Sequence, residues 1–256
     1  MSKLSEIFAN QKAFIGFVVA GDPSIEATVA NILALAKGGT DLIEIGIPFS
    51  DPVADGPVIA AADKRALDRK VNTDDVFEII RRVREKSTVP LVFLTYANLI
   101  FKTGYDEFCR RCADLNVSGM IVPDLPFEEQ GELLPSIEKY HLDLIQLITP
   151  TSQERIEKIA QRATGFIYVV SSTGITGTRD EFKTNLKALT DNIKSYTDTP
   201  IAIGFGIHTP EQAQEMSEIA DGVIVGSQIV DLIDKNGKQA PAKLTEYART
   251  MKNAIK

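Results

Sequence analysis

Short apolar runs alternate with longer amphipathic stretches along the chain. The runs are rich in β-branched residues and nearly continuous, which is typical of parallel strands buried on both faces. The stretches between them carry helix-start signals, and we interpret Thr151-x-x-Glu154 and Thr209-x-x-Gln212 as capping boxes. The predicted strands are Phe14–Val19, Leu42–Ile47, Leu91–Tyr96, Gly119–Val122, Leu142–Ile148, Phe166–Val170, Ile201–Phe205 and Gly222–Val225.

Eight strand-then-helix units in 256 residues predict an α/β fold, a single (β/α)8 TIM barrel. The alternative is an open doubly wound sheet, which usually has about five or six strands. No linker or change in composition divides the chain, so we expect one domain over residues 1–256. The βα loops 2 and 6 are predicted to be long, at Pro48–Asn72 and Ser171–Asn185, and each is a candidate lid over a barrel active site.

Composition and charge exclude several classes of protein. Apolar residues make up 44% of the chain, and the net charge is −7. These values indicate a globular protein, and the acidic surface argues against nucleic-acid binding. No apolar run is long enough to span a membrane, and the N-terminus lacks the apolar block of a signal peptide. We therefore expect a soluble, cytoplasmic protein.

The second predicted strand carries an acidic residue on one face. Period-two alternation places Leu42, Glu44 and Gly46 on one face and Ile43 and Ile45 on the other. Because helices cover the outside of a barrel, the isoleucines should point outward and Glu44 inward. Burial raises the pKa of a carboxyl and suits it to exchange protons near neutral pH. The alternative role for Glu44 is an internal ion pair.

The segments that follow the strands add further candidate chemistry. A proline-rich loop carries Asp51 and Asp55, although either aspartate could instead cap a turn. Gly204-x-Gly206 and Gly226-Ser227 follow the last two strands, where barrels commonly bind phosphate through backbone amides. Gly204-x-Gly206 lacks the third glycine of a dinucleotide fingerprint, so we reject NAD. Tyr168 is either a packed core aromatic residue or a ligand contact.

Two other groups of residues are set aside. Cys109 and Cys112 match a CxxC pattern, but they lie within a predicted helix, and we interpret them as unreactive thiols. His141 and His208 are too few and too far apart in sequence for a metal site, so we predict none.

Seven ordered motifs between residues 17 and 227 match the pattern of a known enzyme family. They are Phe17–Pro23, Ile43–Pro57, Tyr96–Asn98, Val122–Pro126, Gly174–Gly177, Gly204–Ile207 and Gly226-Ser227. Together they resemble the tryptophan synthase α subunit. The resemblance implies a barrel that cleaves indole-3-glycerol phosphate to indole and glyceraldehyde 3-phosphate. It also implies no cofactor in this chain, and a partner β subunit that uses pyridoxal phosphate within an α2β2 tetramer.

The resemblance also assigns roles to individual residues. Glu44 matches the acid/base carboxylate of the family, and Asp55 matches the aspartate that meets the indole N–H. Ser172 departs from the family pattern, because some members carry arginine there. The positions matched to the substrate or to the orientation of Asp55 are Phe17, Leu94, Ile121, Ile148, Tyr168 and Thr176. The positions matched to the phosphate are Gly177, Gly206, Gly226 and Ser227.

Two other functional classes are alternatives to a lyase for this barrel. A sugar-phosphate isomerase would use the same phosphate site, and a non-catalytic barrel would act only as the regulator of a partner. The combination of Glu44, Asp55 and a proline-rich loop argues against the first class. The presence of both carboxyls argues against the second.

Overall fold

The computed structural model describes residues 4–53, 55–170, 179–204 and 206–255, which form one parallel sheet of nine strands surrounded by helices. The strands are β1 (Ala13–Val19), β2 (Leu42–Gly46), β3 (Leu91–Leu94), β4 (Gly119–Ile121), β5 (Asp143–Leu144), β6 (Gln146–Ile148), β7 (Ile167–Val170), β8 (Ile201–Gly204) and β9 (Gly222–Val225). The α-helices are α1 (Ile25–Gly38), α2 (Pro57–Asp68), α3 (Thr73–Arg84), α4 (Ala97–Thr103), α5 (Tyr105–Asp114), α6 (Leu134–Lys139), α7 (Ile156–Arg162), α8 (Arg179–Lys194), α9 (Pro210–Ser217), α10 (Ser227–Asn236) and α11 (Ala240–Ala254). Short 3₁₀ helices cover Ser5–Phe8, Phe127–Glu132, Gln153–Arg155 and Gly237–Gln239.

The sheet forms a nearly closed barrel because its two end strands are consecutive in the chain. β5 pairs with β4 at one end of the sheet, and β6 pairs with β7 at the other. Only Ile145 separates β5 from β6, and its N–H donates to the carbonyl of Met120 at 2.9 Å. The predicted fifth strand, Leu142–Ile148, is therefore observed as two short strands. The first, β5, pairs with β4, and the second, β6, pairs with β7. The TIM-barrel prediction is confirmed.

Alternation along the strands divides the core into an inner and an outer part. Ile43 and Ile45 of β2 pack in the outer part, between the sheet and the helices. Leu42 packs in the inner part, inside the barrel, together with Ile121 and Ile224. The predicted orientation of β2 is therefore confirmed. Glu44 lies two residues after Leu42 on the same inner face, nearer the carboxyl end of the strand.

The connection after β2 is only partly a loop. Helix α2 begins at Pro57, whose fixed φ suits the first position of a helix, and it ends at Asp68. The predicted loop at Pro48–Asn72 was therefore too long, because a helix occupies its second half. Residues 171–178 of the other predicted long loop lie outside the described residues, and α8 begins at Arg179.

One of the two predicted capping boxes is present. The hydroxyl of Thr209 accepts from the backbone N–H of Gln212 at 3.3 Å, and the Gln212 side chain accepts from the N–H of Thr209 at 3.2 Å. The prediction at Thr151 was wrong, because a 3₁₀ turn intervenes and α7 begins only at Ile156. The Thr151 hydroxyl lies 2.8 Å from that of Thr149 instead.

Two further predictions concern membrane segments and cysteine reactivity. Within the described ranges, no helix combines the length and the apolar character needed to cross a membrane. Cys109 and Cys112 are free thiols buried in α5, and burial raises the pKa of Cys109 to about 12. The thiol therefore stays protonated and unreactive, as predicted.

Candidate active site

A cavity of 530 Å³ opens at the carboxyl end of the strands, inside the rim of the barrel. Two larger clefts, of 920 and 1170 Å³, lie at the opposite end, where Pro200 and Ser118 precede their strands. The carboxyl end is where barrel enzymes place their active sites. Most predicted site residues line this cavity: Phe17, Glu44, Asp55, Leu94, Ile121, Tyr168, Gly206, Gly226 and Ser227.

Glu44 is a buried carboxyl at the inner wall of the cavity. It is 1% exposed, and its Oε1 has no hydrogen-bond partner. Burial raises its pKa to about 8. Glu44 is therefore mostly protonated at neutral pH, yet it can lose and regain a proton close to that pH. The alternative of an internal ion pair is excluded among the described residues, since no cation contacts this side chain.

Asp55 lies in the loop before α2 and faces the same cavity. The hydroxyl of Tyr96 donates to its Oδ2 at 2.6 Å, and the Tyr96 ring stacks on Phe49 with ring centroids 4.6 Å apart. Burial raises the pKa of Asp55, while the hydrogen bond from Tyr96 opposes that effect. Sequence reasoning did not assign a role to Tyr96. The signal in the sequence is the position of Tyr96 shortly after β3, since β3 lies next to β2 and the loop after β2 carries Asp55.

Tyr168 stands on β7 near both carboxyls. Burial raises the pKa of its hydroxyl well above the ordinary value, and the charges of Glu44 and Asp55 add to the effect. The hydroxyl therefore stays protonated. A Cβ atom at Gly204 of β8 would lie only 2.4 Å from the Tyr168 hydroxyl oxygen, so this glycine makes room for the ring. Tyr168 thus lines the cavity and lies close to Glu44 and Asp55.

The remaining walls are apolar, with one correction to the prediction. Phe17, Leu94 and Ile121 line the cavity as predicted. Ile148 does not: it is fully buried in the outer core, and Leu147 lines the cavity in its place. The reason is alternation, because residues 145 and 147 of this strand point inward and residue 148 points outward.

The far end of the cavity is lined by the glycine segments that follow β8 and β9, together with His208 and with Asp231, whose carboxylate pairs with Lys235 at 2.7 Å. Helix α10 begins at Ser227, and its N-cap residue Gly226 has no side chain that could cap the first turn; Gly226 and Ser227 both line the cavity. Gly206 lines it as well, with a φ of +75° that L side chains rarely adopt. Such a helix start favours an anion. The Nδ1 atom of His208 lies 2.9 Å from the carbonyl oxygen of Gly206.

Three residues of the sequence prediction lie outside the described residues. They are Thr176 and Gly177, matched to substrate and phosphate, and Ser172, which departs from the family pattern. Within the described part of the chain, no three His, Cys, Asp or Glu side chains come together as a set of metal ligands.

Comparisons with known proteins identify relatives of this chain. The family model described as "Tryptophan synthase alpha chain" matches residues 4–256. The tryptophan synthase alpha chain of Lacticaseibacillus casei is 61% identical over 255 residues, covering 100% of this chain and 96% of the relative. That of Lactiplantibacillus plantarum is 56% identical over 256 residues, covering 100% and 97%. A solved Legionella pneumophila tryptophan synthase alpha chain superposes with a TM-score of 0.89 at 34% identity, covering 100% and 97%.

Replacing Glu44 by glutamine should make the protein more stable at neutral and alkaline pH. The pKa of Glu44 is about 8 in the folded chain against an ordinary value of 4.5, so between these values only the unfolded chain releases the proton. Rising pH therefore favours unfolding of the wild type across this window. We expect the melting temperature of Glu44→Gln to exceed that of the wild type, with a gap that widens from about pH 5 to pH 8.

The matched control for this experiment is Glu129→Gln, which removes a carboxyl from an exposed position on the surface. It should show no gap that widens in this way. Equal melting temperatures of wild type and Glu44→Gln across the whole range would contradict the burial of an unpaired carboxyl in the folded chain.

Proposed function

The chain belongs to the tryptophan synthase alpha chain family, and we propose that Glu44 and Asp55 carry out the chemistry of that family's reaction. The chain is a lyase of tryptophan biosynthesis that catalyses the α reaction. In this reaction, indole-3-glycerol phosphate undergoes retro-aldol cleavage to indole and glyceraldehyde 3-phosphate. The observation that carries the residue assignment is the unpaired, buried Glu44 carboxyl in the same cavity as Asp55.

Glu44 is proposed to act first as an acid and then as a base. The reaction requires a proton on indole C3 and the loss of a proton from the hydroxyl beside the bond that breaks. Protonated Glu44 donates to C3, and the resulting carboxylate accepts the hydroxyl proton as the aldehyde forms. The electron pair of the carbon–carbon bond neutralises the positive indole ring. A pKa of about 8 suits both transfers near neutral pH.

Asp55 is proposed to stabilise the positive charge that develops on the indole ring. Its carboxylate would accept the indole N–H, and the hydrogen bond from Tyr96 to Oδ2 leaves Oδ1 available for this contact. The apolar walls Phe17, Leu94 and Leu147 suit the body of an indole. Tyr168 would close one side of the pocket, and Thr176 would position Asp55, as the family resemblance implies.

The phosphate of the substrate is proposed to bind at the far end of the cavity. Gly206, Gly226 and Ser227 supply the approach to free N–H groups at the start of α10, and Gly177 is a further proposed contact. Glu44 and Asp55 line the same cavity, so anchoring the phosphate at this end would hold the indole within reach of the acidic groups. Helix-start amides are a common phosphate site in barrels of this kind.

The wider setting is also part of the proposal. We propose that residues 1–256 form one domain, that the chain is cytoplasmic, and that it uses no cofactor of its own. We further propose that it binds a tryptophan synthase β subunit, which holds pyridoxal phosphate, in an α2β2 tetramer. Two exposed apolar side chains in the segments that follow β2 and β3 support a docking surface on the rim at this end of the barrel: Val53 is 74% exposed and Phe101 is 65% exposed.

Glu44→Gln should lower kcat by about 10²–10⁴-fold with a smaller change in KM, because an amide cannot transfer the proton. Asp55→Asn should lower kcat as well, because the amide carries no negative charge to stabilise the indole ring. The measurement is steady-state cleavage of indole-3-glycerol phosphate, with the exposed Glu129→Gln as the control that should keep wild-type kinetics. A Glu44→Gln enzyme with more than about a tenth of wild-type kcat would refute the assignment.

Gly206→Ala should raise KM for indole-3-glycerol phosphate by about tenfold or more and weaken inhibition by glycerol phosphate to a similar degree. The reason is that a Cβ atom is strained at its φ of +75° and moves the backbone that faces the phosphate. Gly104→Ala is the matched control: Gly104 also has a positive φ, of +92°, but it joins α4 to α5 outside the cavity. Equal KM values for the two variants would place the phosphate elsewhere.

Phe101→Asp should weaken binding of the β subunit, raising Kd by about tenfold or more, because it places a charge in an apolar contact. Tyr196→Asp is the control, since Tyr196 is 39% exposed but precedes β8 at the opposite end of the barrel. The measurement is calorimetric titration of each variant with β subunit, alongside the cleavage rate of each isolated chain. An unchanged Kd for Phe101→Asp would remove this rim from the interface.

A further inference from the structure

Helix α2 forms one wall of the cavity and directly follows the loop that carries Asp55. Only Gly56 separates Asp55 from Pro57, the first residue of the helix. Ile59, in the first turn, lines the cavity. It also packs beside Gly226 at the start of α10, because a Cβ atom on that glycine would lie 3.7 Å from Ile59 Cδ1. The placing of α2 therefore determines where Asp55 lies relative to the rest of the site.

The apolar face by which α2 docks on the barrel is made of small side chains. Ala62 and Ala66 are fully buried. They form one cluster with Phe17 and Val19 of β1 and with Val230 of α10. Burial of apolar surface stabilises this contact but has no preferred direction. Alanine methyl groups form low ridges, which leave the rotation and depth of a packed helix weakly determined. The apolar contact thus holds α2 on the barrel without fixing its orientation.

A directional contact is made by Arg65, on the same helix. Its Nε and Nη2 atoms donate to the two carboxylate oxygens of Asp22, each at 2.8 Å. The Asp22 side chain is only 3% exposed, and that of Arg65 is 34% exposed. A planar guanidinium that contacts both oxygens of a carboxylate fixes orientation as well as distance. The Nη1 atom of Arg65 also lies 3.6 Å from Asp234 of α10.

Asp22 is itself held on a well-anchored segment between β1 and α1. The N–H of the preceding residue, Gly21, donates to the hydroxyl of the buried Thr28 at 3.0 Å. Val71, which follows α2, packs against the same segment, because a Cβ atom at Gly21 would lie 2.5 Å from Val71 Cγ2. Asp22 is therefore a fixed point of the barrel against which Arg65 can orient the helix.

We propose that Arg65 is a positioning residue for the lyase reaction. Its paired hydrogen bonds to Asp22 set the rotation and depth of α2, and thereby hold Asp55 where its carboxylate meets the indole N–H. The inference rests on the role proposed above for Asp55. The proposed phosphate contacts Gly206 and Ser227 follow β8 and β9 and do not belong to α2. Loss of the pair should therefore slow cleavage and leave phosphate binding unchanged.

The first test compares two substitutions of Arg65. Arg65→Lys keeps the charge but replaces the planar fork by one ammonium, so the fold should persist while the orientation of α2 is relaxed. We expect kcat for indole-3-glycerol phosphate to fall by about threefold to tenfold, and by more than about tenfold in Arg65→Met. The inhibition constant of glycerol phosphate should stay within about twofold of the wild-type value. Wild-type kcat in Arg65→Lys would overturn the proposal, even where Arg65→Met does not fold.

Arg111→Lys is the matched control. Arg111 also forms an ion pair between two helices, since its Nη1 donates to Asp74 at 2.8 Å, and its side chain is 25% exposed. This pair joins α5 to α3, and neither residue lines the cavity. Arg111→Lys should therefore keep wild-type kcat. An equal fall of kcat in the two lysine variants would indicate a general effect on stability and refute the positioning role.

A double variant shows whether Arg65 acts through Asp55. In the Asp55→Asn background, Arg65→Lys should change kcat by less than about twofold, because the carboxylate that it positions is already absent. Hydrogen exchange followed by mass spectrometry needs no substrate. It should be about threefold faster or more in the α2 amides of Arg65→Lys, and unchanged in those of α10. Additive losses of kcat, or unchanged exchange of α2, would contradict the proposal.

The two proposals can fail separately in these experiments. If Asp55→Asn keeps wild-type kcat, the role of Asp55 is wrong and the positioning role of Arg65 falls with it, whatever the exchange of α2 shows. If Asp55→Asn is slow but Arg65→Lys keeps wild-type kcat, the role of Asp55 survives and only the positioning role of Arg65 is refuted.

Discussion

The constraint on which the site depends is the placing of an ionisable carboxyl in the apolar interior of a barrel. Glu44 follows Leu42 on the inner face of β2, and below it the barrel is filled by apolar side chains. Such an environment withholds the solvation that a carboxylate needs, and none of the described residues supplies a cation in exchange. The proton that Glu44 is proposed to transfer is held in place by this lack of solvation, because burial disfavours the charged form.

The space in the cavity depends on glycines that lie next to large aromatic side chains inside the barrel. A Cβ atom at Gly46 would lie 2.6 Å from the ring of Phe17, and one at Gly204 would lie 2.4 Å from the hydroxyl of Tyr168. Each glycine therefore allows a neighbouring aromatic side chain to lie flat against the strand and form a wall. Because interiors are close-packed, adding a methyl group at either glycine would push an aromatic ring into the cavity. The volume of the site is thus set by residues that carry no chemistry.

Much of this arrangement was predictable from sequence, and the failures have physical causes. The strands were recognisable as apolar runs, and alternation alone oriented Glu44 inward. Alternation did not decide between Leu147 and Ile148, because the run Leu142–Ile148 has one polar residue on each face, Asp143 and Gln146, and its phase cannot be read from hydrophobicity. Tyr96 was missed for another reason. Its importance comes from Asp55, which only the folded barrel brings near it, and the residue does not stand out in its local sequence.

The two carboxyls that are proposed to take part in the reaction lie in different environments because of the order of the strands. Glu44 receives no hydrogen bond from a described residue and favours its neutral form, whereas Asp55 receives the Tyr96 hydroxyl at 2.6 Å, which favours its charged form. A pair of carboxyls in different environments can thus act as an acid and as a charge stabiliser in one cavity. Tyr96 follows β3 and Asp55 follows β2, and these strands are direct neighbours in the sheet. The parallel pairing of β2 with β3 therefore brings the Tyr96 hydroxyl to Asp55 and not to Glu44, so the difference between the two carboxyls is a consequence of the fold rather than of either residue alone.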